Sequence, residues 1–178
     1  MRLFIAIDLP EQAKESIEKI KLELKGIKGI KQVAKENIHL TLKFLGEIDD
    51  AKVKDITKAL ESVKFKPFKI CISKMGFFPS EQRIQVVWAD AEPAEPLLEL
   101  KKMIDKALPS FKDDHPFKTH ITFARIKYIE HDFDKKKIID MVKNKKLDKA
   151  EFLVDKFKLY KSDLTPAGPV YEVVKEFS

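Results

Sequence analysis

The sequence contains few cysteines, glycines and arginines, and it has no long apolar run. Cys71 is the one cysteine, so the chain cannot close an internal disulfide or build a cysteine-based zinc site. The five glycines form neither a G-x-G-x-x-G nor a G-x-x-x-x-G-K-[ST] pattern, which excludes both common phosphate-cradling loops. The opening apolar run, residues 3–7, is too short for an export signal, and no stretch approaches the roughly 20 residues of a membrane span. These absences predict a cytoplasmic protein with no membrane partner.

The composition is that of a globular protein. The chain has 178 residues, of which 44% are hydrophobic and 36% are charged, enough for one domain with its own core. The net charge of +6 favours anionic partners, although a lysine-rich solvated surface accounts for it equally well.

Hydrophobic periodicity predicts the order strand, helix, strand, helix, strand twice, at a spacing of about 80–85 residues. Strands are predicted at 3–8, 37–45, 67–77, 83–90, 119–127 and 151–161, with one more at 169–177 after the turn sequence 165–168. Helices are predicted around 13–24, 53–63 and 97–108 and after residue 134. We therefore expect an α+β fold in which residues 1–178 form one bilobal domain with repeat halves at roughly 1–80 and 81–178. Two mainly antiparallel sheets would face a central cleft, with the helices outside.

Two short motifs carry the chemical information. His39-Leu40-Thr41 and His120-Ile121-Thr122 lie 81 residues apart, each on the second strand of its half. Residues i and i+2 of a strand point the same way, about 6.5–7 Å apart, so each motif presents an imidazole beside a hydroxyl. If a two-fold axis relates the halves, the imidazoles meet across the cleft as an acid–base pair, since imidazole titrates near pH 6.5. The hydroxyls would then donate to phosphate oxygens.

A cation follows each motif. Lys43 shares the alternation of the first motif, so it is predicted to face the cleft as a phosphate ligand. Arg125 has the opposite parity from His120, and it faces the cleft only if the strand contains a bulge or ends near Ala124.

The other candidates are expected to be structural. His115 and His131 lie in loop-like sequence, and Cys71 lies in a strand without a nucleophile motif. A metal site built on His115 and His120 is poorly spaced. Phe78, at a strand end, is the candidate for stacking on a nucleobase, with core packing as the alternative.

Six segments together form a recognisable pattern: RLFIAIDLP (2–10), NIHLTLKFLG (37–46), GFFPS (76–80), VVWA (86–89), HITFAR (120–125) and LYKSDLTPAGPVY (159–171). In them the chain resembles the two-histidine phosphoesterase superfamily, and within it the RNA 2′,3′-cyclic phosphodiesterases, historically called 2′-5′ RNA ligases. The resemblance runs nearly end to end. Thr119 stands where that family commonly has proline, and Phe123 where it more usually has leucine.

This resemblance implies a metal-free hydrolase without a cofactor, which opens a 2′,3′-cyclic phosphate on RNA to leave a 2′-phosphomonoester. It implies that His39 is the proton donor to the departing 3′ oxygen and that His120 is the proton acceptor from water. Thr41, Thr122 and Arg125 would hold the phosphate. The implied partner is RNA with a 2′,3′-cyclic phosphate end, tRNA fragments included, and the chain is expected to be a monomer.

Three alternatives stay open. The same groups used in reverse would make a 2′-5′ RNA ligase acting on tRNA halves. A non-catalytic protein that binds RNA ends would keep the cleft. An enzyme for a small cyclic nucleotide or for ADP-ribose cyclic phosphate would change only the substrate. The motifs alone are symmetric, so they do not assign acid and base.

Overall fold

In the computed structural model, which describes residues 1–166 and 168–178, nine strands form two antiparallel sheets. The strands are β1 (Arg2–Asp8), β2 (Ile30–Gln32), β3 (His39–Glu47), β4 (Phe68–Pro79), β5 (Ile84–Glu92), β6 (Ile121–Ile126), β7 (Ala150–Val154), β8 (Phe157–Thr165) and β9 (Gly168–Phe177). The helices are α1 (Glu11–Lys21), α2 (Asp50–Leu60), α3 (Ala94–Ala107) and α4 (Asp132–Asn144). Ala167, in the predicted turn at 165–168, lies outside the described residues.

The two sheets confirm the expected fold class. One has the order β3-β1-β8-β9 and the other β2-β6-β5-β4-β7. The central strands β3-β1-β8 correspond to β6-β5-β4, so the third strand of each half lies in the sheet of the other half. The lobes therefore do not coincide with the sequence halves 1–80 and 81–178. The short connection between β4 and β5 explains this, because a strand leaving a tight hairpin pairs with its neighbour.

Two local predictions were wrong. The single strand predicted at 151–161 is two strands, because the chain leaves one sheet at Asp155 and Lys156 and enters the other. The three-residue β2 was not predicted, since so short a strand has no usable period. Helix α2 begins as expected at an aspartate cap, where the Ala51 amide donates to Asp49 Oδ1 at 3.0 Å.

One hydrophobic core extends beneath both sheets. It is formed by the inward faces of the central strands and by the apolar stripes of the helices, such as Ala13 and Ile17 of α1. On the opposite face of the first sheet, Phe4 and Tyr160 form a separate aromatic cluster with Tyr171. Among the described residues, no helix has both the length and the apolar character needed to cross a membrane.

A β-bulge interrupts β3 and β6 at the equivalent place. In β3 the register slips around Leu42, and in β6 it slips around Phe123, so each strand has one extra residue after its threonine. A bulge reverses the alternation of the residues that follow it, which in β3 holds as far as a second slip around Leu45. The second residue past each threonine therefore turns to the core, and the third turns to the other face.

The bulge makes the prediction for Lys43 wrong. Its side chain is buried on the core side, where Nζ lies 2.7 Å from Asp105 Oδ1 and 3.1 Å from Asp113 Oδ2. The buried Lys101 bonds the same two carboxylates. Burial opposes the charge, yet the hydrogen bonds to the aspartates raise the pKa of Lys43 above its usual value. This ionic cluster joins β3, α3 and the loop that leads to His120.

We expect Lys43→Met to lower the free energy of unfolding by about 1–3 kcal/mol, because it leaves Asp105 and Asp113 with one of their two buried cations, Lys101. Urea denaturation measures this. The control is Lys69→Met, which removes an exposed pair with Glu151 and should cost less than about 0.5 kcal/mol. Equal losses in the two variants would show that the cluster adds nothing beyond a surface ion pair.

Candidate active site

Both H-x-T motifs line one cavity of about 740 Å³ between the two sheets. His39 and Thr41 reach the cavity from β3. Thr122 reaches it from β6, and His120 is the residue just before that strand. Arg125 lines the same cavity. Its strand contains the bulge that the sequence analysis required for this side chain to face the cleft. Counting Phe78, six of the seven predicted site residues therefore line one cavity, and Lys43 does not.

The two imidazoles are held in the same way. Nδ1 of His39 lies 2.7 Å from the carbonyl oxygen of Asn37, and Nδ1 of His120 lies 2.7 Å from that of Lys118. A carbonyl oxygen only accepts, so Nδ1 carries the hydrogen in both rings. Nε2 is then the nitrogen that gains or loses a proton, and each ring can serve as base or acid.

Aromatic rings pack against both histidines. His39 lies 5.0 Å from Phe4 and meets Tyr171 edge-on at 5.4 Å, and His120 meets Phe78 edge-on at 5.2 Å. Burial lowers the pKa of His39 from 6.5 to about 4, against the hydrogen bond to the Asn37 carbonyl, which raises it. Burial also lowers the pKa of His120. Before any anion binds, both imidazoles are therefore neutral at pH 7.

Each histidine has an aspartate on the neighbouring strand, which the sequence analysis missed. Asp8 of β1 lies opposite His39 and accepts hydrogen bonds from Tyr160 and, at 2.6 Å, from Lys158. Burial opposes ionisation of Asp8, but these bonds lower its pKa. Asp90 of β5 holds the equivalent place beside His120. The signal that was available is an aspartate near the end of the first strand of each half, shortly before a proline.

Thr119, noted above as a departure, is buried and takes part in this arrangement. Its hydroxyl donates to Asp90 Oδ1 at 2.7 Å, and the Ala91 amide donates to the same oxygen at 2.9 Å. The residue before His120 therefore anchors the aspartate on the neighbouring strand.

The cavity wall also contains residues that were not predicted, among them Arg2, Lys31, Phe44 and Tyr171. Burial raises the pKa of Tyr171, although the nearby Arg125 and Arg2 act to lower it. Its hydroxyl is therefore a neutral donor beside two guanidinium groups. Cleft-facing residues of β1 and β9 carry no motif, so only the sheet pairing could reveal them.

The remaining candidates lie mostly away from the cavity. His115 and His131 are exposed, and Cys71 is half-buried in β4. Phe78 lines the cavity, and its ring lies 5.0 Å from that of Trp88, so its stacking on a base stays a prediction. Within residues 1–166 and 168–178, no cluster of three His, Cys, Asp or Glu side chains is suited to a metal ion.

Comparisons with known proteins agree with the repeat and with the fold. The family model described as LigT like Phosphoesterase matches twice, at residues 7–88 and 89–171. An RNA 2′,3′-cyclic phosphodiesterase of Methanocaldococcus jannaschii is 44% identical over 180 residues, covering 99% of this chain and 100% of the relative. A namesake from Archaeoglobus fulgidus is 35% identical over 180 residues and covers 99% of both chains.

Two solved structures are similar throughout. The crystal structure of a Thermus thermophilus protein superposes with a TM-score of 0.82 at 30% identity, covering 100% of this chain and 97% of the other. Escherichia coli LigT complexed with 3′-AMP gives a TM-score of 0.80 at 27% identity, covering 98% of this chain and 95% of the other.

The buried imidazoles predict an acid-sensitive fold. Because the folded pKa of His39 lies near 4 and the unfolded value near 6.5, the unfolded chain binds more protons between these values. The stability that neutral His39 contributes is then fully present above pH 6.5, and it is lost as the pH falls toward 4. We expect His39→Gln to lose less stability than wild type between pH 7 and pH 5 in urea denaturation, and NMR to find His39 titrating near pH 4. Titration of His39 at 6.5 or above would contradict this.

Proposed function

The chain belongs to the LigT-like phosphoesterase family, and we propose that it hydrolyses 2′,3′-cyclic phosphate ends of RNA to 2′-phosphomonoesters. His39 and His120 act as an acid–base pair, without a metal. The observation that carries the proposal is the pair of imidazoles, each held through Nδ1 by a carbonyl and each lining the same cavity. Full-length relatives named RNA 2′,3′-cyclic phosphodiesterase, and a similar fold complexed with 3′-AMP, support the substrate class.

The reaction needs one proton removed and one supplied. Neutral His120 accepts a proton from water through Nε2 as the water oxygen attacks phosphorus. The bond from phosphorus to the 3′ oxygen breaks in line with this attack, and protonated His39 donates its Nε2 proton to that oxygen. The 2′ ester bond is kept, so the product is a 2′-phosphomonoester. Exchange of protons with water restores both rings.

The charges around the two rings support this division of roles. The largest charge effect on His39 comes from Asp8 and favours the protonated ring, whereas the largest on His120 comes from Arg125 and favours the neutral ring. Burial is the largest of the effects that lower the pKa of His39 before the substrate binds, and Lys14 and Arg125 lower it further. A bound phosphate anion raises the pKa of both rings, and Asp8 and Asp90 each favour the protonated form of the ring beside them, so the largest charge effects agree with the proton being on His39 while the family resemblance supplies that assignment.

The phosphate is held by the groups that share the cavity with the imidazoles. The hydroxyls of Thr41 and Thr122 donate to its non-bridging oxygens, and Arg125 adds a full positive charge as negative charge develops in the transition state. The proposed partner is thus an RNA end, tRNA fragments included, bound by a monomer. Ligation would break the same bond from phosphorus to the 3′ oxygen, with an RNA 5′-hydroxyl attacking in place of water and a 2′-5′ linkage as the product, and no contact among the described residues of the cleft favours it over hydrolysis.

We expect His39→Ala and His120→Ala each to lower kcat/KM at least about a hundredfold, because each removes one of the two proton transfers. The assay measures the conversion of a 2′,3′-cyclic phosphate end of an oligonucleotide to a 2′-phosphate end. His115→Ala and His131→Ala are the controls, since both rings are exposed outside the cavity, and their rates should stay near wild type. Rates within about threefold of wild type for both cleft variants would disprove the assigned roles.

The metal-free reaction predicts that excess EDTA leaves the initial rate unchanged. The control is an enzyme known to need a divalent ion, treated in parallel. Loss of activity that one divalent ion restores would contradict the proposal.

If wild-type protein binds the cyclic-phosphate oligonucleotide but never converts it, the chain is a binding protein rather than a hydrolase.

A further inference from the structure

The two histidines reach the cleft from different kinds of backbone. His39 is the first residue of β3, and the sheet pairs it with Asp8 of β1. His120 precedes β6, whose pairing with β5 begins at Ile121, opposite Ala89. Residues 108–120, between α3 and β6, form neither helix nor strand. Sheet pairing therefore holds the backbone of His39, whereas His120 lies at the end of a loop.

Two consecutive side chains fasten the end of this loop to β5. The hydroxyl of the buried Thr119 donates to Asp90 Oδ1 at 2.7 Å, and the Ala91 amide donates to the same oxygen at 2.9 Å. Nζ of Lys118 lies 4.6 Å from the centre of the Trp88 ring, which is a cation–π contact. Both partners belong to β5, so the loop is tied to this strand where the pairing with β6 ends.

These contacts lie on either side of the carbonyl that orients His120. The Lys118 carbonyl accepts the hydrogen bond from Nδ1 of His120 at 2.7 Å, and this oxygen belongs to the peptide group between Lys118 and Thr119. The ring moves with its acceptor, so a displaced loop would displace Nε2 as well. A misplacement of about 1 Å at a reacting group lowers a rate about a hundredfold.

The first half of the chain holds its aspartate differently. Ile38 precedes His39, and its side chain is buried in the core, so this position has no hydroxyl to donate. Asp8 accepts hydrogen bonds from Lys158 and Tyr160 instead. The bond from the preceding residue to the aspartate thus occurs only on the side of the cleft where sheet pairing does not reach the histidine.

We propose that Thr119 and Asp90 are positioning residues for His120, and that their hydrogen bond holds the loop so that Nε2 faces the attacking water. The inference rests on the proposed function, in which His120 accepts a proton from that water. Neither Thr119 nor Asp90 lines the cavity, so both act through His120 and not on the substrate.

The test measures kcat and KM for an oligonucleotide with a 2′,3′-cyclic phosphate end. Thr119→Val nearly keeps the shape of the side chain but removes the donor. It should lower kcat about tenfold or more while KM stays within about twofold, since the position of the base matters in the transition state and not in binding. Thr119→Ser keeps the donor and should stay within about threefold of the wild-type kcat.

The matched control is Thr57→Val. The hydroxyl of Thr57 donates to the Val53 carbonyl at 2.8 Å within α2, and neither residue lines the cavity. Its removal costs one hydrogen bond of a similar kind and should leave kcat unchanged.

A second measurement reports on the ring itself. In nitrogen NMR spectra at pH 7, wild-type His120 should be the neutral tautomer with its hydrogen on Nδ1, whereas Thr119→Val should show both neutral tautomers. Asp90→Ala removes the acceptor and should also lower kcat. The double variant should lose no more than Asp90→Ala alone, because both changes break the same bond. Asp90→Ala decides the question if Thr119→Val does not fold, as thermal melting would show.

The outcomes separate the two proposals. A wild-type kcat in Thr119→Val overturns the positioning role and leaves the hydrolase intact. An equal fall of kcat in Thr57→Val overturns it as well, and so does a fall in Thr119→Val that leaves His120 in one tautomer. Failure of wild type to convert the oligonucleotide overturns the hydrolase itself, and the NMR comparison then still decides whether Thr119 holds the ring.

Discussion

Each imidazole of the cleft depends on one hydrogen bond to the backbone carbonyl two residues before it. That bond fixes the tautomer, because a hydrogen on Nδ1 leaves Nε2 as the nitrogen that exchanges protons. It also fixes the ring against rotation about the side-chain bonds, with help from the aromatic side chains around it. Without these carbonyls the same two histidines would have no fixed tautomer. Neither Nε2 would then be held in a defined position in the cavity.

The bulges of β3 and β6 determine what surrounds the pair. Each turns the third residue past the threonine into the cleft, which yields a cation on one wall and an aromatic ring on the other. The same bulge sends Lys43 into the core, where it ties β3 to the loop before His120. The bulge in β3 thus both turns Phe44 toward the cleft and places Lys43 where it connects β3 with the loop before His120.

The local part of the fold and the central residues of the site could be predicted from the sequence. Period-two alternation places His39 beside Thr41, and the repeat places the second motif in an equivalent strand. The position of Lys43 could not be predicted, because no glycine or proline marks the bulge at Leu42. The position of Asp8 could not be predicted either, because it lies beside His39 through a cross-strand pairing between residues far apart in sequence. The separation of β7 from β8 likewise depends on which sheet each strand joins, which local sequence does not encode.

The exchange of third strands has a consequence for how such a molecule arises. Sheet order β3-β1-β8 beside β6-β5-β4 is the arrangement of a domain-swapped dimer whose two copies have been fused into one polypeptide. Neither half of the chain contains all the strands of one sheet. A single ancestral unit would therefore have formed complete sheets only as a symmetric pair. Fusion lets the two copies diverge, so two originally identical walls can carry different residues at equivalent places, such as Phe44 on one and Arg125 on the other.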